Sequence, residues 1–183
     1  MNQFKTHRNL TEKWYLWNMY YTRYYDSPMG KLTLISNGRT LTGLRFGEQC
    51  HYVEGQKICG GDVVLPSFED TCRWLDIYFA GRDPGFLPYL APEGTPFRKE
   101  VWDLLLSIPY GNTASYGSLA ATIASKREVG RMSAQAIGGA VGHNPIPIII
   151  PCHRVISADG SIGGFTGGLD IKRWLLSHEG ISI

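Results

Sequence analysis

The stretch YTRYYDSPMGKLTLISNGRTLTGLRF, residues 21–46, alternates runs of β-branched and aromatic residues with short turn sequences. The runs at 21–25, 32–36 and 41–46 have the composition of β-strands. DSPMG separates the first two runs and NG precedes the third, and both sequences are typical of tight turns. We therefore predict a small antiparallel sheet whose strands follow one another along the chain.

Helical patterns lie on the C-terminal side of this sheet. Residues 68–79 repeat apolar side chains at the spacing of one amphipathic helix, whereas residues 81–96 are rich in glycine and proline and indicate a linker. Beyond the linker the pattern predicts a helix opened by Thr95-Pro96 and ended by Tyr110-Gly111-Asn112, then helices at 115–123, 133–141 and 169–180, the last closed by Gly180. The two short helices in the middle are compatible with a helix-turn-helix.

Together these elements predict an α+β protein with a boundary near residue 92. We expect a loose extension at 1–19 and a small N-terminal domain at 20–92, made of an antiparallel sheet and a helix. A mostly helical C-terminal domain at 93–183 then contains the helix-turn-helix.

The composition excludes several classes of protein. Of the 183 residues, 43% are hydrophobic, which argues against disorder, and the sequence has no apolar run of about 18 residues that would span a membrane. The first residues lack the apolar core of a secretory signal, so we expect a cytoplasmic protein. The formal net charge is only +2, and residues 96–183 carry it with 8 basic and 6 acidic side chains. Such a charge permits DNA binding but does not by itself indicate it.

The sequence contains four cysteines, at positions 50, 59, 72 and 152. Their spacing contains no C-x-x-C pair, and a disulfide framework is not expected in a reducing compartment. A zinc site formed by Cys50, His51, Cys59 and Cys72 is an alternative, although its spacing differs from that of the common zinc fingers. We therefore predict free thiols, with no metal and no other cofactor.

Cys152 is the candidate nucleophile. It lies in Pro151-Cys152-His153-Arg154-Val155, directly after the apolar run 145–150, which indicates a buried position. A cysteine is nucleophilic as the thiolate, and an adjacent histidine can accept its proton near neutral pH. The pattern predicts attack of Cys152 on an electrophile.

This motif, with Gly142-His143-Asn144-Pro145 before it and the run KRWLLSHEG at 172–180 after it, resembles the O6-alkylguanine-DNA alkyltransferases, or methylated-DNA–protein-cysteine methyltransferases. The resemblance runs from about residue 95 to residue 179. It implies a sheet-containing N-terminal domain, a helical C-terminal domain with a helix-turn-helix, and flipping of an alkylated guanine out of double-stranded DNA. The alkyl group then moves irreversibly to the protein's own cysteine. A monomer that approaches the minor groove and has no contact with membranes is also expected.

The resemblance also implies roles for individual residues. Cys152 accepts the alkyl group, His153 takes the thiol proton through a water, and Glu179 orients the imidazole, as in a triad with a sulfur nucleophile. Asn144 bridges the helix-turn-helix and the active-site segment. Tyr116 acts at the phosphate and donates a proton to the leaving guanine. The pocket for the flipped base is expected to be lined by Val155, Gly163, Phe165, Thr166 and Gly167, with phenylalanine at 165 where relatives usually have tyrosine.

DNA contacts are expected around the second helix of the helix-turn-helix. Its small side chains suit either close packing against another helix or a deep position in a groove. Gln135 stands where many relatives carry an arginine that enters the base stack; its amide can bond the orphaned cytosine but lacks the charge. We therefore expect weaker DNA binding than in arginine-bearing relatives. The other expected contacts are Ser133, Ala134, Gly138 and Arg98, whereas Arg154 is expected to be structural.

Two other functions remain open. A cysteine hydrolase could use Cys152, His153 and Glu179 with turnover, although most such enzymes bring the cysteine and the histidine from distant segments. A non-catalytic sensor of alkylated guanine is the second alternative. Such sensors replace the cysteine, which this chain retains.

Overall fold

The structure, a computed structural model, describes residues 20–47 and 63–182, and the backbone of two short strands in the segment between them. The predicted extension at 1–19 lies outside the described residues. So do the side chains of Cys50, His51 and Cys59, on which the alternative zinc site depends.

The N-terminal part contains the predicted antiparallel sheet. Strand β1 spans Tyr21–Ser27, β2 spans Gly30–Ser36 and β3 spans Leu41–Phe46, in the order β1-β2-β3. Gly30 closes the first turn at φ +98°, a backbone angle that glycine adopts without strain. The sheet prediction is therefore confirmed. Strands β4 (His51–Val53) and β5 (Gln56–Ile58) pair antiparallel with each other.

Helix α1, Pro66–Phe79, packs against this sheet. It begins two residues before the predicted start, because Pro66 suits the first helical turn, where its missing N–H leaves no bond unmade. Its buried face includes Phe68, Leu75 and Tyr78, each 0% exposed. The predicted amphipathic helix is confirmed, and its last turn carries Tyr78 into the interior.

The predicted linker is held along the edge of β3. The Leu41 N–H donates to the Tyr89 carbonyl at 2.9 Å, and the Ala91 N–H donates to the Leu41 carbonyl at 2.8 Å. These bonds pair backbone groups that an edge strand would otherwise expose. The segment therefore connects the two parts of the chain as an ordered strap.

The second part of the chain is mostly helical. Helix α2 spans Pro96–Leu106, strand β6 Ala114–Ser115, α3 Tyr116–Lys126, α4 Ala134–Gly142, β7 Val155–Ile156 and α5 Leu169–His178, with a 3₁₀ turn at Cys152–Arg154. Strands β6 and β7 pair in parallel, which places the start of α3 beside the residues that follow Cys152. Helices α3 and α4 pack against each other as the predicted helix-turn-helix.

The ends of α2 and α5 can be compared with the ends predicted from the sequence. The prediction that α2 continues to Tyr110 is wrong, because the helix ends at Leu106 and Pro109 disfavours helical geometry at the residue before it. The end of α5 agrees with the sequence: Gly180 has φ +79° and its N–H donates to Ser177, while the N–H of Ile181 donates to Leu176. This pair of bonds is the Schellman arrangement, which leaves Glu179 at the helix end.

The two parts of the chain share one hydrophobic core. Leu44 and Tyr78 from the first part belong to the same buried cluster as Ile150 and Leu175 from the second. The Leu44 N–H also donates to the Pro145 carbonyl at 2.9 Å, so β3 is bonded to the segment that leads to Cys152. Within the described ranges, none of the helices is both long enough and apolar enough to cross a membrane.

Candidate active site

Cys152 follows a buried, tightly turned segment. Residues 146–150 are all buried, and Ile148 has φ +74°, a left-handed angle that a β-branched residue rarely adopts. The Asn144 side chain holds this segment: its Nδ2 donates to the Ile150 carbonyl at 2.8 Å and its Oδ1 accepts from the Ile146 N–H at 3.0 Å. Asn144 thus fixes both ends of the turn that positions Cys152.

The Cys152 thiol lies in the interior. The residue is 3% exposed, and burial raises the pKa of its thiol to about 11, although a hydrogen bond from Asn144 and the charge of Lys172 act in the opposite direction. At neutral pH the resting protein therefore holds Cys152 as the thiol. A nucleophilic thiolate requires a group that removes this proton.

Lys172, on α5, is a fully buried cation near this thiol. Its ammonium donates to the Val155 carbonyl at 2.6 Å and to the Gly164 carbonyl at 3.4 Å. Burial lowers the pKa of Lys172 to about 8, partly offset by the interaction with Cys152. The ammonium joins β7 to the glycine-rich loop and supplies positive charge close to the sulfur.

His153 is 0% exposed and bonded on one side only. Its Nε2 lies 2.6 Å from Oε1 of Glu179, and because a carboxylate can only accept, Nε2 carries the hydrogen. The other ring nitrogen, Nδ1, is buried and has no hydrogen-bond partner among the described residues. Burial lowers the pKa of His153, with Glu179 acting in the opposite direction, so the neutral ring has a free lone pair at Nδ1.

Glu179 accepts hydrogen bonds from every side. Oε1 accepts from His153, from the Tyr78 hydroxyl at 2.8 Å and from Nη2 of Arg154 at 3.1 Å. Oε2 accepts from Nε of Arg154 at 2.8 Å and from the Gly111 N–H at 3.1 Å. Burial alone would favour the neutral acid, but His153 and Arg154 lower the pKa of Glu179 to about 2. The carboxylate is therefore ionised and fixed.

Tyr116 and the glycine-rich loop form the adjoining wall. A Cβ added at Gly163 would lie 3.0 Å from the Tyr116 hydroxyl, and the backbone there has φ +64°, so both the close contact and the backbone angle favour glycine. Further along the loop, the Phe165 ring meets Phe46 of β3 edge-on with centroids 5.9 Å apart, and a Cβ at Gly167 would lie 2.7 Å from the Phe46 ring. The N-terminal sheet thus supports the loop that was expected to line the base pocket.

The exposed face of helix α4 carries mostly small side chains. Ser133 caps it, with its Oγ accepting from the Gln135 N–H at 3.2 Å, and the side chains of Ser133, Ala134 and Gln135 are exposed. A Cβ at Gly139 would meet nothing within 4 Å, whereas Ile137 and Ala140 are buried. One face of the helix therefore packs inside, as the first interpretation requires, and the other face leaves backbone uncovered at the surface; the position in a groove stays a prediction.

The predicted site residues fall into two groups. Cys152, His153, Glu179 and Asn144 lie together in the interior, and Tyr116 joins them through the Gly163 loop. Arg154 is buried and ion-paired with Glu179, as its position in the motif predicted. Val155 is fully buried in β7. The other predicted residues lie on the loop or near the surface: Thr166, whose hydroxyl donates to the Gly142 carbonyl at 3.0 Å, half-buried Gly138, and half-buried Arg98 in the first turn of α2.

Sequence reasoning missed two residues of the site, Tyr78 and Lys172. A signal for Lys172 was present, because it lies three and four residues before Leu175 and Leu176 and hence on the buried stripe of α5. Nothing near Tyr78 in the sequence distinguishes it from an ordinary core aromatic. Among the described residues no cluster of three or more metal-ligating side chains occurs, and Cys72 is a half-buried free thiol.

Both the sequence and the structure are similar to those of known proteins. A family model described as "6-O-methylguanine DNA methyltransferase, DNA binding domain" matches residues 96–181, and one described as "6-O-methylguanine DNA methyltransferase, ribonuclease-like domain" matches residues 19–86. The methylated-DNA–protein-cysteine methyltransferase of Haemophilus influenzae is 42% identical over 165 residues, covering 89% of this chain and 87% of the relative. That of Methanosarcina acetivorans is 39% identical over 170 residues, covering 88% and 99%. The crystal structure of Mycobacterium tuberculosis OGT in complex with DNA aligns with a TM-score of 0.74 at 43% identity, covering 87% and 92% of the two chains.

Proposed function

The chain belongs to the 6-O-methylguanine DNA methyltransferase family, and from this membership we propose that Cys152 is its alkyl acceptor and O6-alkylguanine in duplex DNA its substrate. The protein repairs DNA by transferring an alkyl group to one of its own cysteines, a stoichiometric reaction that consumes it. One observation carries the assignment to Cys152. The neighbouring buried imidazole has its Nε2 committed to Glu179 and its Nδ1 free to take a proton.

His153 acts as the general base through a water. Because the pKa of Cys152 is about 11, the thiol keeps its proton until a base removes it. Nδ1 of His153 accepts that proton by way of the water, and the ring becomes an imidazolium that Glu179 stabilises across the 2.6 Å contact. Lys172 stabilises the thiolate that is left behind.

The transfer itself is a displacement at the alkyl carbon. The thiolate forms a bond from sulfur to carbon while the bond from that carbon to O6 of guanine breaks, and the guanine leaves with the electron pair. Tyr116, whose hydroxyl borders the loop at Gly163, donates a proton to the leaving base. The resulting thioether is stable, so the alkyl group stays on Cys152 and one protein molecule repairs one base.

Helix α4 meets the DNA on its minor-groove side, as a single copy of the protein. On its exposed face Ala134 carries only a methyl group and Gly139 has no side chain, which allows the helix backbone to approach the groove closely. Gln135, exposed in the first turn, enters the space left by the flipped base, and Ser133 and Arg98 contact phosphate in this proposal. The net charge of +2 accords with contacts made through shape more than through charge.

Mass spectrometry of the intact protein tests this proposal. After incubation with duplex containing O6-methylguanine, we expect a gain of one methyl group on Cys152, with one equivalent of base repaired. Cys152→Ala should gain nothing and keep the fold, while Cys72→Ala, the control at the other described cysteine, should be methylated like the wild type. Methylation of the Cys152→Ala variant, or repair of many bases by one protein molecule, would refute the proposed acceptor.

A further inference from the structure

Tyr78 joins the N-terminal part of the protein to the proton-accepting pair. It lies in the last turn of α1, within residues 19–86, which the ribonuclease-like domain model matches, whereas His153 and Glu179 lie within residues 96–181, which the DNA binding domain model matches. Its hydroxyl lies 2.8 Å from Oε1 of Glu179 and 3.4 Å from Nε2 of His153. The proton acceptor is therefore completed by a residue from the other part of the chain.

The direction of this hydrogen bond is fixed by chemistry. Since the Glu179 carboxylate can only accept, the Tyr78 hydroxyl donates to it. The same oxygen accepts from His153. Tyr78 and His153 therefore donate to the same oxygen. The negative charge that the Tyr78 hydroxyl stabilises on Oε1 is less able to stabilise an imidazolium at His153.

The hydroxyl is held in place by the packing of its ring. Tyr78 is 0% exposed, stacks on Trp74 with centroids 5.2 Å apart, and contacts Tyr110 and His178. Burial, with the neighbouring carboxylate, raises the pKa of Tyr78 and keeps the phenol protonated. A fixed, permanent donor thus faces the carboxylate.

We propose that Tyr78 is a positioning residue for alkyl transfer, which aims the Glu179 carboxylate at His153 and withdraws charge from Oε1 so that the resting imidazole stays neutral. This inference rests on the proposed function, in which His153 takes the proton of Cys152. It gives the N-terminal part a role in the chemistry beyond support of the fold.

The groups that face His153 come from several elements. The 3₁₀ turn contributes Cys152 and Arg154, α5 contributes Lys172 and the helix-end Glu179, and α1 contributes Tyr78. The cations Arg154 and Lys172 and the burial favour the neutral ring, while Glu179 favours the charged one. Tyr110 and His178 pack against the Tyr78 ring, and loss of the phenol hydroxyl keeps the ring that they contact.

Tyr78→Phe keeps the ring and removes the donor. On the acid side, we expect the midpoint of the fall in the rate of single-turnover methyl transfer to rise by about one pH unit. This corresponds to a tenfold increase in the proton affinity of His153. The titration of the His153 ring, followed by ¹⁵N NMR, should move in the same direction. Tyr25→Phe is the matched control, because the Tyr25 hydroxyl donates in the same way to a different carboxylate, Asp76 of α1, at 2.8 Å. It should leave both profiles unchanged.

A second replacement covers the case in which Tyr78→Phe does not fold. 3,5-Difluorotyrosine introduced at position 78 alone retains the shape and donates more strongly, so both profiles should shift towards lower pH. Unchanged profiles in the folded variants, or shifts of the same sign in both, would overturn the role of Tyr78. The NMR titration needs no substrate, so it tests the role of Tyr78 even if methyl transfer is not observed. Failure of the wild-type protein to accept a methyl group from methylated duplex would count against the proposed function alone.

Discussion

Replacement of Glu179 by glutamine tests the arrangement of the site most directly. All partners of its two oxygens are donors, so the new amide NH₂ must face a set of donors in either orientation. On the Oε2 side it would meet Nε of Arg154 and the Gly111 N–H, neither of which can accept. On the Oε1 side only Nη2 of Arg154 is unable to adapt, so the NH₂ should turn towards His153.

This orientation has a chemical consequence. To accept from the amide, Nε2 of His153 must give up its hydrogen, and the neutral ring then carries its proton on Nδ1. The lone pair that takes the proton of Cys152 is lost. A comparable tautomer error in serine proteases lowers the rate by about 10⁴-fold, and we expect single-turnover transfer by Glu179→Gln to fall by on the order of 10³–10⁴-fold.

The same replacement should destabilise the protein. It leaves the Arg154 guanidinium, which is 7% exposed, without its counter-ion, and an uncompensated buried charge costs about 3–5 kcal/mol. The shift of the Glu179 pKa from 4.5 to about 2 gives a similar figure, roughly 3 kcal/mol. For a chain of this size that corresponds to a drop in Tm of about 10 °C.

The pH dependence of this loss is fixed by the direction of the pKa shift. Because the pKa of Glu179 is lower in the folded state, its stabilisation is complete above the unfolded value of about 4.5 and is lost as the pH falls towards 2. The difference in unfolding free energy between wild type and Glu179→Gln should therefore be full at neutral pH and shrink in acid. Denaturant unfolding at several pH values measures it.

Glu100→Gln is the control for this experiment, because it removes the carboxylate of a partly exposed pair with Arg127. Such a pair contributes less than about 1 kcal/mol. Transfer by Glu179→Gln within tenfold of the wild type, or a loss of stability no greater than that of the control, would refute the reasoning.

Three further predictions concern charge and DNA contact. Lys172→Met removes the cation near the sulfur, so the pKa of Cys152 should rise. Alkylation of Cys152 by iodoacetamide, measured at each cysteine by mass spectrometry, should slow about tenfold for each pH unit by which this pKa rises. An unchanged pH profile of the alkylation rate would contradict this. Gln135→Arg should tighten binding to duplex several-fold and steepen its salt dependence, and no gain, or a loss, in a binding titration would count against the proposed wedge. Gly139→Leu should raise the unfolding free energy by up to about 1 kcal/mol, because leucine is the better helix former and a Cβ there meets nothing, yet weaken duplex binding by obstructing the groove. Undiminished affinity of the leucine variant would show that α4 does not approach the DNA closely.

The parts of the fold that could be predicted from the sequence depend on neighbouring residues. The first sheet turn follows from Gly30, and the start of α3 from Ser115, whose hydroxyl accepts from the Ser118 N–H while the Ser118 hydroxyl accepts from the Ser115 N–H. The end of α2 was misplaced although its cause, Pro109, was visible. Local rules thus place elements well and their ends less well.

The parts of the site that escaped prediction depend on distant contacts. Tyr78 and Glu179 are 101 positions apart, and only the packing of α1 against the rest of the core brings them together. Phe46 reaches the glycine-rich loop in the same way. The motif around Cys152 indicated the reacting atoms, whereas the residues that set their geometry belong to the tertiary structure.

The bond between Tyr78 and Glu179 also bears on how the chain acquires its reactivity during folding. A contact that closes a loop of this length carries a large entropy cost and forms slowly compared with the turns of a single helix. Until the core has packed around it, Cys152 lacks the burial and the oriented His153–Glu179 pair that the folded structure provides. A newly made chain therefore passes through a period in which its sulfur is open to any oxidant or electrophile in solution, and rapid collapse of the core is what shortens that exposure.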